Sequence, residues 1–410
     1  MDLPIGPILA TLRRNWAGAG LVAAQVAITL AVLANAFHVT QERIHRMQRP
    51  TGMDVPNILV VSSQGITSRF YPEASLREDL AYLRSVPGVT AASSINATPL
   101  SDQASRIGVM LRAGDQQHGI RTNYYEVDEQ AFAALGLELI AGRGFHQEDV
   151  LPARSDSGPP VPAHQVIITK ALADALYPGA DAVGKTLYDV FGYMAQPATI
   201  IGVVARMQGA GLASESVERV LLAPRLPLLD PPGAQYVVRT LPGQRDSLIP
   251  EIANHLQASN PNRMIEWVRP LQFFMDRSYR ADRNMKLFLN ATIVLLLAVT
   301  CVGMYGLTTF NVRRRTRQIG IRRALGAQRA EIAGYFLVEN WLITTVGAVS
   351  GSLLALFFSR GLSTHYGVSP LNLLYLVTGT AVLWFVGQLA ALYPACMASS
   401  IEPAVATREV

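Results

Sequence analysis

Four apolar, membrane-length stretches, at 16–37, 287–310, 332–358 and 371–394, divide this 410-residue sequence very unevenly. A helix crosses a hydrocarbon core of about 30 Å with about 20 mainly apolar residues, and each stretch reaches or nearly reaches that length. The connector between the second and third, NVRRRTRQIGIRRALGAQR (311–329), carries Arg313, Arg314, Arg315, Arg317, Arg322, Arg323 and Arg329 and no acid. Short arginine-rich loops remain on the cytoplasmic side. The expectation is therefore an α-helical polytopic membrane protein with four transmembrane helices. A large extracytoplasmic α/β domain is inserted between helices 1 and 2, and both termini are cytoplasmic.

Charge distribution agrees with that topology. Charged residues make up 16% of the chain, against roughly 25% in soluble proteins. Residues 38–286 hold 24 Lys/Arg and 25 Asp/Glu and are nearly neutral. The cationic surplus falls on Arg13, Arg14, the seven loop arginines and Arg408. A basic face on a folded domain, the mark of nucleic-acid binding, is not indicated, so no nucleic-acid partner is expected. The two cysteines, Cys301 and Cys396, lie in or beside the second and fourth stretches. The outer domain must hold without disulfides and offers no cysteine-based metal site. The first stretch is longer than a signal-peptide core and lacks a clean cleavage signal after it, so it reads as a retained anchor.

The expected organisation is a cytoplasmic N-terminus (1–15), helix 1 (16–37) and an outer α/β domain with a helical stalk (38–286). Helix 2 (287–310), a cytoplasmic loop (311–331), helix 3 (332–358), an outer turn (359–370), helix 4 (371–394) and a cytoplasmic tail (395–410) follow. Gly18, Gly20 and several alanines give helix 1 a thin face for close helix packing. In the outer domain NILVVSS (57–63), RIGVMLRA (106–113), ATIIGVVARM (198–207) and AQYVVRT (234–240) read as strands. SLREDLAYLRSV (75–86) and SLIPEIANHLQ (247–257) read as amphipathic helices. The Pro- and Ser-rich stretch around 152–164 marks an exposed insertion, which suggests two lobes divided there.

GADAVGKT (179–186) satisfies the phosphate-loop pattern of G-x-x-x-x-G-K followed by Ser or Thr. That loop needs a strand before it and a helix after it, so that helix N-terminal amides meet the phosphate. Here the helical ALADALYP precedes and the strand-like TLYDVF follows, so a turn set by Gly179 and Gly184 is the better reading. No H-E-x-x-H pair or G-x-S-x-G elbow occurs among the residues. No catalytic residue, metal ligand or cofactor site is assigned, and the chain reads as non-catalytic.

Polar residues inside the stretches stand out: Glu339 and Asn340 in the third, Asn290 in the second, Gln25 and Gln388 in the first and fourth. A carboxylate stranded in hydrocarbon is costly unless paired or wetted. Glu339 therefore either satisfies an inner-loop arginine near the headgroups or couples neighbouring helices; a proton relay is the weaker reading. In the inner loop, Ile319, Ala324, Leu325 and Ala327 offer apolar contacts amid arginines, and Gly326 bends the chain. Such an element suits either an interfacial anchor on anionic lipid or a lever gripped by a cytoplasmic partner.

The stretch RTRQIGIRRALGA (315–327), followed by Phe336, Glu339, Gly347 and Gly351, resembles the C-terminal module of FtsX/MacB-type ABC transporter permeases. Gln318 stands where that family's pattern has an acid. The ending PACMASSIEPAVATRE, from Pro394, is similar to the family's ending, with Thr407 at the usual Leu position. YYEVDEQAFAALGLELIAGRGF (124–145) and VIITKALADALYPGADAVGKTL (166–187) resemble segments of its periplasmic core, which accounts for the false phosphate loop.

The resemblance implies a bacterial inner-membrane permease subunit. It would work in a dimer with a second permease chain, identical or paralogous, driven by separate cytoplasmic ABC ATPase subunits that bind ATP and Mg. Its coupling region would be 318–330, with Ile319, Ile321, Arg322, Arg323, Leu325 and Gly326 as contact candidates. With little sequence before Trp16 or after Pro394, the expectation is that the ATPase is a separate chain. Mechanotransmission would then export or extract an amphiphile, peptide or lipoprotein, with a periplasmic adaptor or cargo protein as a further partner. The alternative is a non-transporting signal transmitter that controls a periplasmic partner such as a cell-wall hydrolase.

Overall fold

The computed structural model describes residues 16–101, 105–113, 115, 119–153, 163–189, 197–211, 214, 216–227, 229, 232–366 and 371–401. Arg13 and Arg14, the insertion over 154–162, and the tail from 402 with Thr407 and Arg408 lie outside the described residues. The chain forms two units, Met1–Met47 with Asp282–Val410, and Gln48–Ala281.

The first membrane helix, α1 (Trp16–Met47), continues past its apolar stretch into HVTQERIHRM. The second unit then opens with β1 (Ile58–Gly65), α2 (Pro72–Ser85) and β2 (Val89–Ser94). Next come β3 (Ser105–Met110), β4 (Ile120–Val127), α3 (Ala131–Leu135), β5 (Leu139–Gly142) and β6 (Gln165–Thr169). The chain continues through α4 (Lys170–Leu176), β7 (Thr186–Asp189), β8 (Ala198–Val204) and β9 (Val220–Pro224). It returns as β10 (Gly233–Thr240), α5 (Arg245–Ser259), β11 (Arg263–Pro270) and α6 (Leu271–Ser278).

Two sheets result. The first is four-stranded and antiparallel, in the order β11-β1-β10-β2. Ile58, Leu59, Val60 and Val61 of β1 are all fully buried, as a continuous apolar run requires when both faces of a strand are covered. Leu76, Leu80 and Leu83 of α2 recur at helical spacing and pack with Leu248, Ile252 and Leu256 of α5 against Leu59, Val61 and Val238. The second sheet runs β5-β8-β6-β9-β4-β3-β7 and closes on itself where β7 also pairs with β8. Closure removes exposed strand edges. Its interior is filled by Ile107, Val109, Tyr124, Val166, Ile168, Leu187, Ile200 and Leu221.

The lobes are not divided at 150–164. β5 and β6, on either side of that stretch, both pair with β8 in the same barrel. The barrel is instead inserted whole between β2 and β10 of the four-stranded sheet. At 179–186 the chain runs helix α4, turn, strand β7, with Gly179 and Gly184 at φ of 72° and 82°. A phosphate loop has the opposite order.

The remaining helices are α7 (Arg280–Arg314), α8 (Thr316–Ala324), α9 (Arg329–Tyr366) and α10 (Leu373–Ser399). With α1, helices α7, α9 and α10 are long and apolar enough to cross a membrane. α10 continues through Pro394, and α8 begins almost directly after α7, so the inner connector is mostly helical. Helices α1 and α9 approach closely at α9's glycines rather than at Gly20. A Cβ at Gly347 would sit 2.7 Å from the Ala23 carbonyl oxygen, and one at Gly351 2.7 Å from that of Ala27, whereas one at Gly20 would meet nothing. Small residues permit such backbone proximity, which replaces the hydrophobic driving force absent in lipid.

Candidate functional site

Helix α8 is short, cationic and held on one side. Ile319 is buried in a cluster with Val312 of α7, Ile332 and Phe336 of α9, and Ala395 and Ala398 of α10. One side chain thus joins α8 to the ends of three membrane helices. The Arg323 guanidinium donates to the carbonyl of Ser399 at the end of α10. Ile319 and Arg323 therefore anchor the helix instead of offering themselves outward.

The outward face consists of other residues. Ile321 is 50% exposed and Leu325 83% exposed. Arg322 is exposed, with its guanidinium 5.6 Å from the Tyr335 ring centroid. Gly326, at φ 97°, turns the chain from α8 into α9, where the Gln328 amide donates to the Glu331 carboxylate and starts the new helix. Of the six contact candidates, Ile321 and Leu325 face outward, Ile319 and Arg323 inward, Arg322 borders the cleft beside Tyr335, and Gly326 forms the corner.

Behind α8 sits a buried ion pair. Arg315, at the break between α7 and α8, donates from both terminal nitrogens to the two oxygens of Glu339, at 3.1 and 3.2 Å. The same arginine donates to the Tyr335 hydroxyl at 3.2 Å. Two parallel bonds fix direction as well as distance, and burial raises what is lost if one partner is removed. Tyr335 and Glu339 lie four residues apart, on one face of α9. An inner-loop arginine was one expected partner of Glu339, whereas Tyr335 was signalled only by that spacing. Asn340, next in sequence, points to another neighbour: its amide donates to the Gly387 carbonyl of α10 at 2.9 Å. Asn290 is exposed.

A cleft of about 90 Å³ opens beside the pair. Arg315, Gln318, Arg322 and Tyr335 supply its polar lining, and Ile319, Ile332 and Phe336 its apolar wall. Helix α8 thus touches α7, α9 and α10 through Ile319, and α10 also through Arg323. Among the described residues, no group of three or more His, Cys, Asp or Glu could hold a metal ion.

Comparison with known proteins covers most of the chain. The MacB-like periplasmic core domain model matches residues 19–253, and the FtsX-like permease C-terminal model matches residues 290–403. The macrolide export ATP-binding/permease protein MacB of Neisseria meningitidis serogroup A is 27% identical over 245 residues, 57% of this chain and 34% of that protein. The protein of the same name from Bartonella quintana is 25% identical over 359 residues, 84% of this chain and 48% of that protein. The chain thus spans less than half the length of either relative. The periplasmic region of MacB from Actinobacillus actinomycetemcomitans aligns at a TM-score of 0.35 and 15% identity, over 57% of this chain and 97% of that one.

Proposed function

This chain, a multi-pass membrane protein with a periplasmic domain, belongs to the MacB/FtsX-like permease family, and we propose that it is the membrane subunit of an ABC complex driven by separate cytoplasmic ATPase subunits. Both termini and α8 face the cytoplasm, and the unit Gln48–Ala281 faces the periplasm. Two permease chains, identical or related, form the working dimer. ATP and Mg are bound and turned over by the partner ATPase, whose closure pushes on α8. The movement passes along α7 and alters the periplasmic unit, where an amphiphile, peptide or lipoprotein is extracted or exported, with or without a periplasmic adaptor.

The observation that carries this reading is the two-sidedness of α8. Ile319 is buried among three membrane helices, while Ile321 and Leu325 stand out on the opposite side and Arg322 is exposed at the rim of the cleft. A helix serving only as a lipid anchor has no need of an ion pair behind it that locks its hinge. The test is purification of the full chain with its native neighbours from membranes. An ATPase should co-purify, and Arg322→Glu with Leu325→Glu should abolish its capture while the chain still folds and inserts. Undiminished capture and turnover in that double variant would refute the assigned contact face.

A further inference from the structure

The outer unit is entered by the chain after α1 and left before α7, and inside that unit the two points are joined by a short relay of buried groups. On the entry side, the Gln208 amide N–H donates to the Thr51 carbonyl at 2.9 Å. Its side-chain amide donates to the Arg49 and Pro50 carbonyls at 3.2 and 3.3 Å. Gln208 is fully buried. Gly52 runs so close to Arg206 that a Cβ there would strike its carbonyl.

On the exit side, Ser278 closes α6, and its hydroxyl donates to the Leu100 carbonyl at 2.8 Å. The Leu100 N–H donates in turn to the Gly209 carbonyl at 3.2 Å. Gly209 follows Gln208 directly, so the path from Thr51 to Ser278 is continuous through backbone. The relay is also tied to both lobes. The Gly209 N–H donates to the Val217 carbonyl at 2.7 Å, beside the barrel strand β9. Thr98 donates to Gln235 of β10 in the four-stranded sheet at 3.3 Å.

Leu100 is the one non-glycine residue with positive φ, 60°, among the described residues, and it is fully buried. A leucine in that region is strained, and such strain persists only where the surroundings over-determine it. Here they do: its N–H, its carbonyl and its side chain are all fixed. Strain of this kind clusters at active sites, ligand clamps and switch regions.

We propose that Gln208, Gly209 and Leu100 form a yoke that ties the chain entering from the first membrane helix to the helix leading out to the second. The yoke makes the barrel respond to the two as one input. These are positioning residues, and the proposal rests on the mechanotransmission reading for its purpose but not for its test. The test uses the full chain with its co-purified ATPase in lipid nanodiscs, read by hydrogen exchange with and without ATP. Without nucleotide, Ser278→Ala should raise exchange about fivefold, the effect of one lost hydrogen bond, at 207–209 as well as at 98–101. Gln208→Ala should do so at 98–101 as well as at 49–52. The β1 amides should stay protected in both variants, and Ser278→Thr should restore the wild-type pattern. An increase confined to the segment that lost its own bond overturns the yoke. With ATP, turnover should persist in Gln208→Ala while the nucleotide-dependent change in β4 and β9 disappears; full retention of that change also overturns it. Failure of any ATPase to associate would refute the driven-permease reading, and the nucleotide-free exchange result would still decide the yoke.

Discussion

Glu339 and Arg315 meet through two parallel hydrogen bonds, at 3.1 and 3.2 Å, with Glu339 only 3% exposed. Removing one partner leaves the other buried and uncompensated, which costs about 3–5 kcal/mol. Glu339→Ala should therefore lower the thermal stability of the full chain in nanodiscs sharply. Arg315→Met with Glu339→Leu should recover most of that loss, because an apolar pair of similar volume has no charge to strand. Equal destabilisation in the single and double variants would refute this account.

The close approach of α1 and α9 leads to a second expectation. Gly347→Val and Gly351→Val drive a side chain into the α1 backbone and should each cost about 1–3 kcal/mol. Gly20→Val, where a Cβ meets nothing, should be tolerated. Thermal melts in one detergent at one lipid ratio would compare the three. A Gly20 variant as unstable as the others would contradict the packing.

Acid should weaken the outer unit at a known point. Arg143 donates to both oxygens of Asp149, at 2.6 and 3.1 Å, and the His146 N–H adds a third bond at 2.9 Å. The Arg143 hydrogen bond is the main cause holding the Asp149 carboxyl below its ordinary value of 3.8. A depressed carboxyl contributes stability that is complete above the unfolded value and is lost as pH falls through the folded one. Asp149→Asn should cost about 1 kcal/mol at neutral pH and flatten the acid limb of a pH–melting curve. An unchanged acid limb would count against it.

Arg263 is fully buried and donates to Asp79, Ser75, Ser259 and the Leu256 carbonyl, while the Tyr236 hydroxyl donates to Asp79 at 2.6 Å. Burial, with the nearby Asp79 charge, pushes the Tyr236 phenol well above its usual range, so it stays a donor. Tyr236→Phe should cost about 1.5–3 kcal/mol, the worth of a bond to a charged group. Arg263→Leu should cost about 3–5 kcal/mol, since it strands Asp79. Chemical denaturation followed by Trp267 fluorescence would rank them, and a larger loss in Tyr236→Phe would reverse the assignment.

Much of this architecture is written locally. The four membrane helices announce themselves because hydrophobicity over about 20 residues is a property of neighbours in sequence. The false phosphate loop could be dismissed from the order of helix and strand alone. Barrel closure could not be read, because it depends on β7 meeting β8 and β4 meeting β9, pairings that no periodicity encodes. The insertion of the barrel was equally hidden, since β1 finds its partner β10 only across the whole intervening lobe. At the candidate site, an inner-loop arginine was one of two expected roles for Glu339, and seven arginines were on offer. Only the break between α7 and α8 selects Arg315. Ile319 and Ile321, alike in the sequence, part company because helical rotation aims one inward and the other out.

Helix α7 has little of its apolar surface covered within the chain, yet polar contacts pin it at three depths: Asp282 to Arg43, Thr300 to Thr29, and Asn311 to Glu339. Dispersion forces vary smoothly as a rod slides, whereas hydrogen bonds hold only at particular registers. A rod fastened mainly by such bonds moves between discrete detents, like a bolt in a lock. On the permease reading proposed above, any stroke passed along it would come in fixed increments.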